Sequence, residues 1–248
     1  MPHPSSRSAL DLFLERLLHR SELSDEEREA VAGLPAVRVE VAAHRDMVRP
    51  GERPDHSCLV ERGLIGRFGQ TETGVRQFVS VHIPGEMADL HSLMVPQANL
   101  AINALAPSVV LRVPHQALRD IGLRYPAIAA AFWRDCVLQA AIVAQWLVNV
   151  ARRGARARLA HFFCEMGLRY RQFGQLPPSR YELPMTQEQL ADVAGLTSVH
   201  VNRTLMALRD EGIMTISRGV VDILDWKALV NAAEFDPAYL ALKNGRLD

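Results

Sequence analysis

The stretch MTQEQLADVAGLTSVHVNRTLMALRDEG, residues 185–212, constrains the fold more than any other part of the 248-residue chain. Thr186 followed by Gln189 is a capping-box start for a short helix whose Leu190 and Val193 face inward. Gly195 suits a turn position with positive φ, and Thr197 caps a second helix. Val201, Leu205 and Leu208 then recur at i, i+4 and i+7, which is one buried stripe. Helices this short and this tightly joined must cross steeply, and small Ala191 suits the point where they touch. Downstream, Met214, Ile216, Val221 and Ile223 alternate around Arg218-Gly219, the pattern of a β-hairpin, and Asp225 caps a last short helix. The prediction is a winged helix-turn-helix.

The face opposite the stripe carries Val199, Arg203 and Met206, flanked by His200 and Asn202, with few ordinary solubilising charges. A structural αα-hairpin would share the turn glycine but has no need of this outward set. Arginine can bond guanine through two hydrogen bonds, asparagine can pair with adenine, and valine can pack on a thymine methyl. Hydroxyls at helix N-termini suit phosphates. The expected DNA contacts are Thr186, Thr197, Ser198, Val199, His200, Asn202 and Arg203, with Arg218 on the wing.

Upstream, the periodicity changes. Residues 8–34 read as two short helices, one with a Leu10, Phe13, Leu14, Leu17, Leu18 stripe and one opened by the Ser24/Glu27 capping box. VRVEV (37–41), RQFVSVHI (76–83) and SVVLRV (108–113) are short strand-like runs, and glycines 51, 63, 74 and 85 punctuate them. Such spacing predicts an all-β sandwich, barrel or jelly roll. From Pro126 to about Ala151 a long helix places Ala129, Trp133, Cys136, Ala140, Val143, Leu147 and Val150 at alternating steps of four and three. That heptad seam predicts a homodimer interface rather than plain burial.

Composition narrows the function classes. Lys+Arg and Asp+Glu balance at 28 each, so no overall field drives the chain onto nucleic acid or membrane. Residues 151–181 nonetheless hold seven arginines against Glu165, a local charge of +6 that is either partner-facing or a solvated helix face. Cys58, Cys136 and Cys164 lie far apart, unlike a disulfide framework or a four-cysteine metal site. Asp11, Glu15 and Arg16 interrupt the N-terminal apolar run, so no signal peptide is expected, and residues 136–151 are too short and polar to span a membrane. A cytoplasmic location is expected. No nucleophile elbow, phosphate loop or H-E-x-x-H is present, so no enzyme is predicted. His82, Asp89, His91 and His115 read as partly buried polar residues before metal or haem ligands, and no cofactor or metal is expected.

With these motifs in view, the chain resembles the Crp/Fnr family of bacterial transcription regulators along nearly all its length. The helix-turn-helix stretch is the most specific match, with Arg203 at the family's base-reading arginine. The resemblance implies an α+β fold: an N-terminal β-roll sensor domain, jelly-roll-like and related to cyclic-nucleotide-binding domains (1–123), a dimerisation helix (124–153) and a winged helix-turn-helix domain (154–248). Its implied partners are a palindromic double-stranded operator, a second copy of the chain and RNA polymerase, with the effector unnamed. The dimer contacts expected are Trp133, Cys136, Ala140, Val143, Leu147 and Val150. Gly85-Glu86 in IPGEMADL resembles the Gly-Glu pair of the family's ligand loop, where the glutamate binds the ribose of a cyclic nucleotide. The arginine that binds the cyclic phosphate is missing: residues 87–111 contain no Arg or Lys, and QANLAINAL stands in its place. A buried phosphodiester without a cationic partner is poorly held, so cyclic AMP is not expected to switch the protein. Arg76 and Arg112 are the arginines that could reach in from elsewhere. An iron–sulfur cluster needs four thiolates and is not expected from three scattered cysteines. A cyclic-nucleotide-responsive regulator with an altered phosphate site, and a module whose winged helix contacts protein, stay open as alternatives.

Overall fold

A computed structural model describes residues 8–171 and 179–241. The chain divides into two compact units, one of residues 1–67 and 81–137, the other of residues 68–80 and 138–248.

In the first unit, α1 (Ala9–Leu18) and α2 (Asp25–Ala32) both open with complete capping boxes, at Ser8/Asp11 and Ser24/Glu27. The strands are β1 (Val37–Val41), β2 (Asp46–Val48), β3 (His56–Arg62), β4 (Ile65–Gln70), β5 (Arg76–His82), β6 (Ala101–Ala104) and β7 (Ser108–Pro114). They form two sheets, β1-β7-β3 and β2-β6-β4-β5, with β7 antiparallel to both its neighbours. Glycines 51, 63, 74 and 85, the predicted turn points, all have φ between 83° and 90°. Val41, Val48, Val60, Ile65, Ile102 and Val110 fill the space within this β-roll. A second core joins α1 to β3, to α3 (His115–Arg124) and to the start of α4 (Pro126–Arg152) through Phe13, Leu17, Leu59, Leu118, Ile128 and Phe132.

The long helix α4 is apolar on two sides. Ile128, Phe132, Leu138, Ile142 and Trp146 are buried within the chain. Trp133, Val137, Leu147 and Val148 are large apolar side chains left exposed. Of the predicted seam, Trp133, Ala140 and Leu147 face outward, whereas Cys136, Val143 and Val150 are half-buried. The exposed line runs instead through Trp133, Val137, Ala140, Ala144, Leu147 and Ala151, which keeps the three–four spacing. The helix is long and apolar enough to cross a bilayer by composition alone. Its inward stripe, however, belongs to the protein's own cores.

In the second unit, α5 (Ala155–Arg171) is central and packs on α8 (Trp226–Ala233). Helices α6 (Gln187–Ala194) and α7 (Ser198–Asp210) follow, with strands β8 (Arg180–Glu182), β9 (Met214–Ser217) and β10 (Val220–Ile223) in the order β8-β10-β9. Asp225 caps α8 through the Ala228 N–H at 2.8 Å, as its position predicted.

Candidate nucleic-acid interface

The α6–α7 unit is fixed by local chemistry. Thr186 accepts from the Gln189 N–H, and the Gln189 side chain accepts from the Thr186 N–H, closing the box at the start of α6. Gly195 ends that helix in the left-handed region at φ 61°, ψ 45°. Its carbonyl and that of Ala194 each accept from Arg158 Nη1 at 3.1 Å, so a guanidinium on α5 satisfies the turn. Thr197 then caps α7 by accepting the His200 N–H, and its hydroxyl also lies 3.2 Å from His200 Nδ1.

Val201 and Leu208 are fully buried, which fixes the rotation of α7. Ser198, Val199, His200, Asn202 and Arg203 are all exposed, Val199 at 76%. Among the described residues no hydrogen bond or ion pair involves the Arg203 guanidinium. The same is true of Arg218, which sits at φ 51° beside Gly219 at φ 76°. Positive φ at both central residues is the two-residue hairpin geometry that matches strand twist, and it holds Arg218 at the wing tip. At φ 76°, and with a Cβ meeting the Pro184 backbone at 3.1 Å, a side chain at Gly219 would be strained.

The basic segment has a different use. Arg156 pairs with Glu211, Arg169 with Glu165 and Arg180 with Asp222, while Arg158 serves backbone carbonyls. Those arginines hold the domain together. Glu165 is wholly buried, and it accepts from Trp146 Nε1 at 2.9 Å, Tyr239 Oη at 2.7 Å and Arg169 Nη1 at 2.9 Å. Burial pushes its carboxyl pKa up against those bonds.

In the β-roll, Gly85 and Glu86 form the predicted turn, with the Gly85 N–H on Val60 O and the Glu86 N–H on Ile83 O. The Glu86 side chain is wholly buried and already engaged: Arg16 Nη1 donates to Oε1 at 2.7 Å, and His82 Nδ1 lies 3.5 Å from Oε2. Arg16 reaches Glu86 from α1, and Arg67 is half-buried on β4; of the arginines singled out by sequence, Arg76 lies 3.7 Å from Asp192, and Arg112 is half-buried opposite Cys58, on the strand face that carries Val60 and Val110. Arg67 Nη2 lies 3.5 Å from His91 Nε2, and burial lowers its pKa. The same burial, helped by Arg67, lowers the His91 pKa to about 4. Asp89 accepts the Cys58 N–H at 2.7 Å, and burial raises its pKa to about 6. His115 Nε2 meets the Ser92 hydroxyl at 2.8 Å. Arg67, Asp89, His91, Ser92 and Asn99 line a cavity of about 20 Å³, room for one water-sized molecule. Among the described residues, no three His, Cys, Asp or Glu side chains converge as a metal site would require.

Comparison with known proteins matches the two halves separately. Residues 38–125 match the cyclic nucleotide-binding domain family, and residues 157–232 match the Crp-like helix-turn-helix domain. The chain belongs to the Crp/Fnr family. The anaerobic regulatory protein of Pasteurella multocida is 22% identical over 220 residues, covering 89% of this chain and 80% of that protein. The fumarate and nitrate reduction regulatory protein of Vibrio cholerae is 22% identical over 189 residues, covering 76% and 75%. FixK2 from Bradyrhizobium japonicum has the same fold, with a TM-score of 0.73 at 22% identity over 80% of this chain and 98% of that one. As a Crp/Fnr-type transcription regulator, the protein binds DNA through its helix-turn-helix domain, the unit whose outward face is described above.

Sequence reasoning missed Arg16, Asp135, Arg67, Arg158 and Glu165. Arg16 carried one signal, a cation beside the apolar stripe of α1. Its partners lie 70 and 119 residues away, beyond any local pattern.

Proposed function

We propose that this Crp/Fnr regulator acts as a cytoplasmic homodimer on a two-fold operator and that cyclic AMP does not switch it. The functional division is a β-roll over 1–123, a dimer helix over 124–153 and a DNA-binding domain over 154–248. The observation that carries the DNA reading is the outward face of α7: exposed, aimed by a capped helix, and with its Arg203 guanidinium unpaired among the described residues. Arg203 and Asn202 are the base readers, Val199 the apolar contact, and Ser198, Thr186, Thr197, His200 and Arg218 the phosphate and flanking contacts. The exposed apolar line of α4 supports the dimer, since two copies would bury it and set two recognition helices one DNA turn apart. The engaged Glu86 and the missing phosphate arginine support independence from cyclic AMP. RNA polymerase is the partner through which operator binding would alter transcription.

The test is recovery of genomic duplex fragments by purified protein, followed by binding over a range of salt. A shared inverted half-site and an affinity that falls steeply with salt support the reading, because phosphate contacts release counterions. Recovery of no preferred sequence would favour the protein-contacting alternative.

A further inference from the structure

Arg16 joins three segments of the chain. It precedes the matched domain of residues 38–125, Glu86 lies within that domain and Asp135 lies beyond it on α4. Its Nη1 donates to Glu86 Oε1 at 2.7 Å and its Nε to Asp135 Oδ1 at 2.8 Å. All three side chains are at most 3% exposed. Beside them the Phe13 and Phe132 rings meet at 6.0 Å, so α1 and α4 are joined by packing as well as by charge. The other Glu86 oxygen accepts the Ile83 N–H at 3.3 Å, which ties the loop backbone to the same cluster.

Buried ion pairs are a poor way to gain stability, since their desolvation offsets much of the attraction and apolar side chains of similar size do as well. What this arrangement supplies is direction. The planar guanidinium offers fixed donors to two carboxylates at once, and so fixes the loop and the helix relative to each other.

We propose that Arg16 is a built-in tether standing in for a small-molecule effector, holding the Gly85-Glu86 loop against the first half of α4 in the arrangement that binds DNA. Because the tether is part of the chain, its effective concentration at Glu86 is fixed by connectivity and needs no ligand. The bound arrangement is then populated at rest, and control of DNA binding passes to α1. This inference rests on the DNA-regulator reading. Operator binding by the parent protein tests that reading, and the variants below test the tether.

Removing Arg16 alone would strand two buried carboxylates, so the informative full-length variant combines Arg16→Met with Glu86→Gln and Asp135→Asn. It is expected to melt cooperatively and to keep the parent's oligomeric mass. Its operator affinity should fall by roughly tenfold, within the usual range of coupling between sites. Amide exchange over 83–93 and 126–137 should speed up. A second variant, Arg16→Lys, keeps a cation but replaces the planar Nε/Nη1 donor set with a single ammonium nitrogen. It should show a smaller loss of the same sign, and it decides alone if the triple variant does not fold. Operator affinity within about twofold of the parent in the folded variants overturns the tether, whatever the exchange rates.

Discussion

Arg203 and Arg16 are both arginines on short amphipathic helices, yet their surroundings are opposite. Arg203 stands exposed on α7, with no partner among the described residues. Arg16 is 2% exposed and bonded to two carboxylates. A guanidinium left without partners on a rigid helix is available to a second molecule. One enclosed with its counter-charges is already engaged by the fold. The same contrast separates the two units: the outward face of α7 leaves the Arg203 guanidinium without a partner among the described residues, and the Gly85-Glu86 loop has used its glutamate internally.

The comparison breaks most severely at a buried group. Glu165→Ala leaves Arg169 without its carboxylate and Trp146 and Tyr239 without an acceptor. The loss should be about 3–5 kcal/mol in denaturant unfolding, and a change near zero would mean that these bonds are not formed in solution. Next comes the outward face of α4. Val137→Glu with Leu147→Glu should halve the mass seen by light scattering and weaken operator binding roughly a hundredfold, as one of two linked half-sites is lost. An unchanged dimer would move the interface off this line.

Arg203→Ala sharpens the contrast with Arg16. Folding should be untouched, while specific affinity falls by about 1–3 kcal/mol per half-site and non-specific affinity changes little. Equal losses on all sequences would make Arg203 a phosphate contact. The smallest effect is a pH dependence in the roll. The pKa of Asp89 is raised to about 6 by burial, so between roughly pH 4 and 6 the folded state holds more protons than the unfolded chain. Its contribution to stability therefore declines as pH rises through that window. Asp89→Asn retains an acceptor for the Cys58 N–H, so it should melt above the parent at pH 7 with the gap closing toward pH 4. A gap independent of pH would assign the change to packing.

Local pattern carried the sequence reading as far as local pattern acts. The caps at Ser24, Thr186, Thr197 and Asp225, the left-handed Gly195 and the Arg218-Gly219 hairpin depend on residues a few positions apart. The seam of α4 was harder because the helix is apolar on more than one side. Two lines of residues fit the three–four spacing, and only packing against α1 at one end and α5 at the other decides which faces inward. The basic segment left a partner-facing and a solvated reading open because its partners, Glu211 and Asp222, lie far along the chain. Arg16 is the extreme case, a charge whose meaning depends wholly on two distant carboxylates.

Operator binding measured on one preparation with and without millimolar cyclic AMP tests both sides of the comparison together. The account predicts tight, salt-sensitive binding to an inverted repeat in the absence of nucleotide, with a dissociation constant that the nucleotide leaves unchanged. Binding that appears or strengthens tenfold or more only when cyclic AMP is added would contradict it, because Glu86 would then have to exchange Arg16 for a ribose.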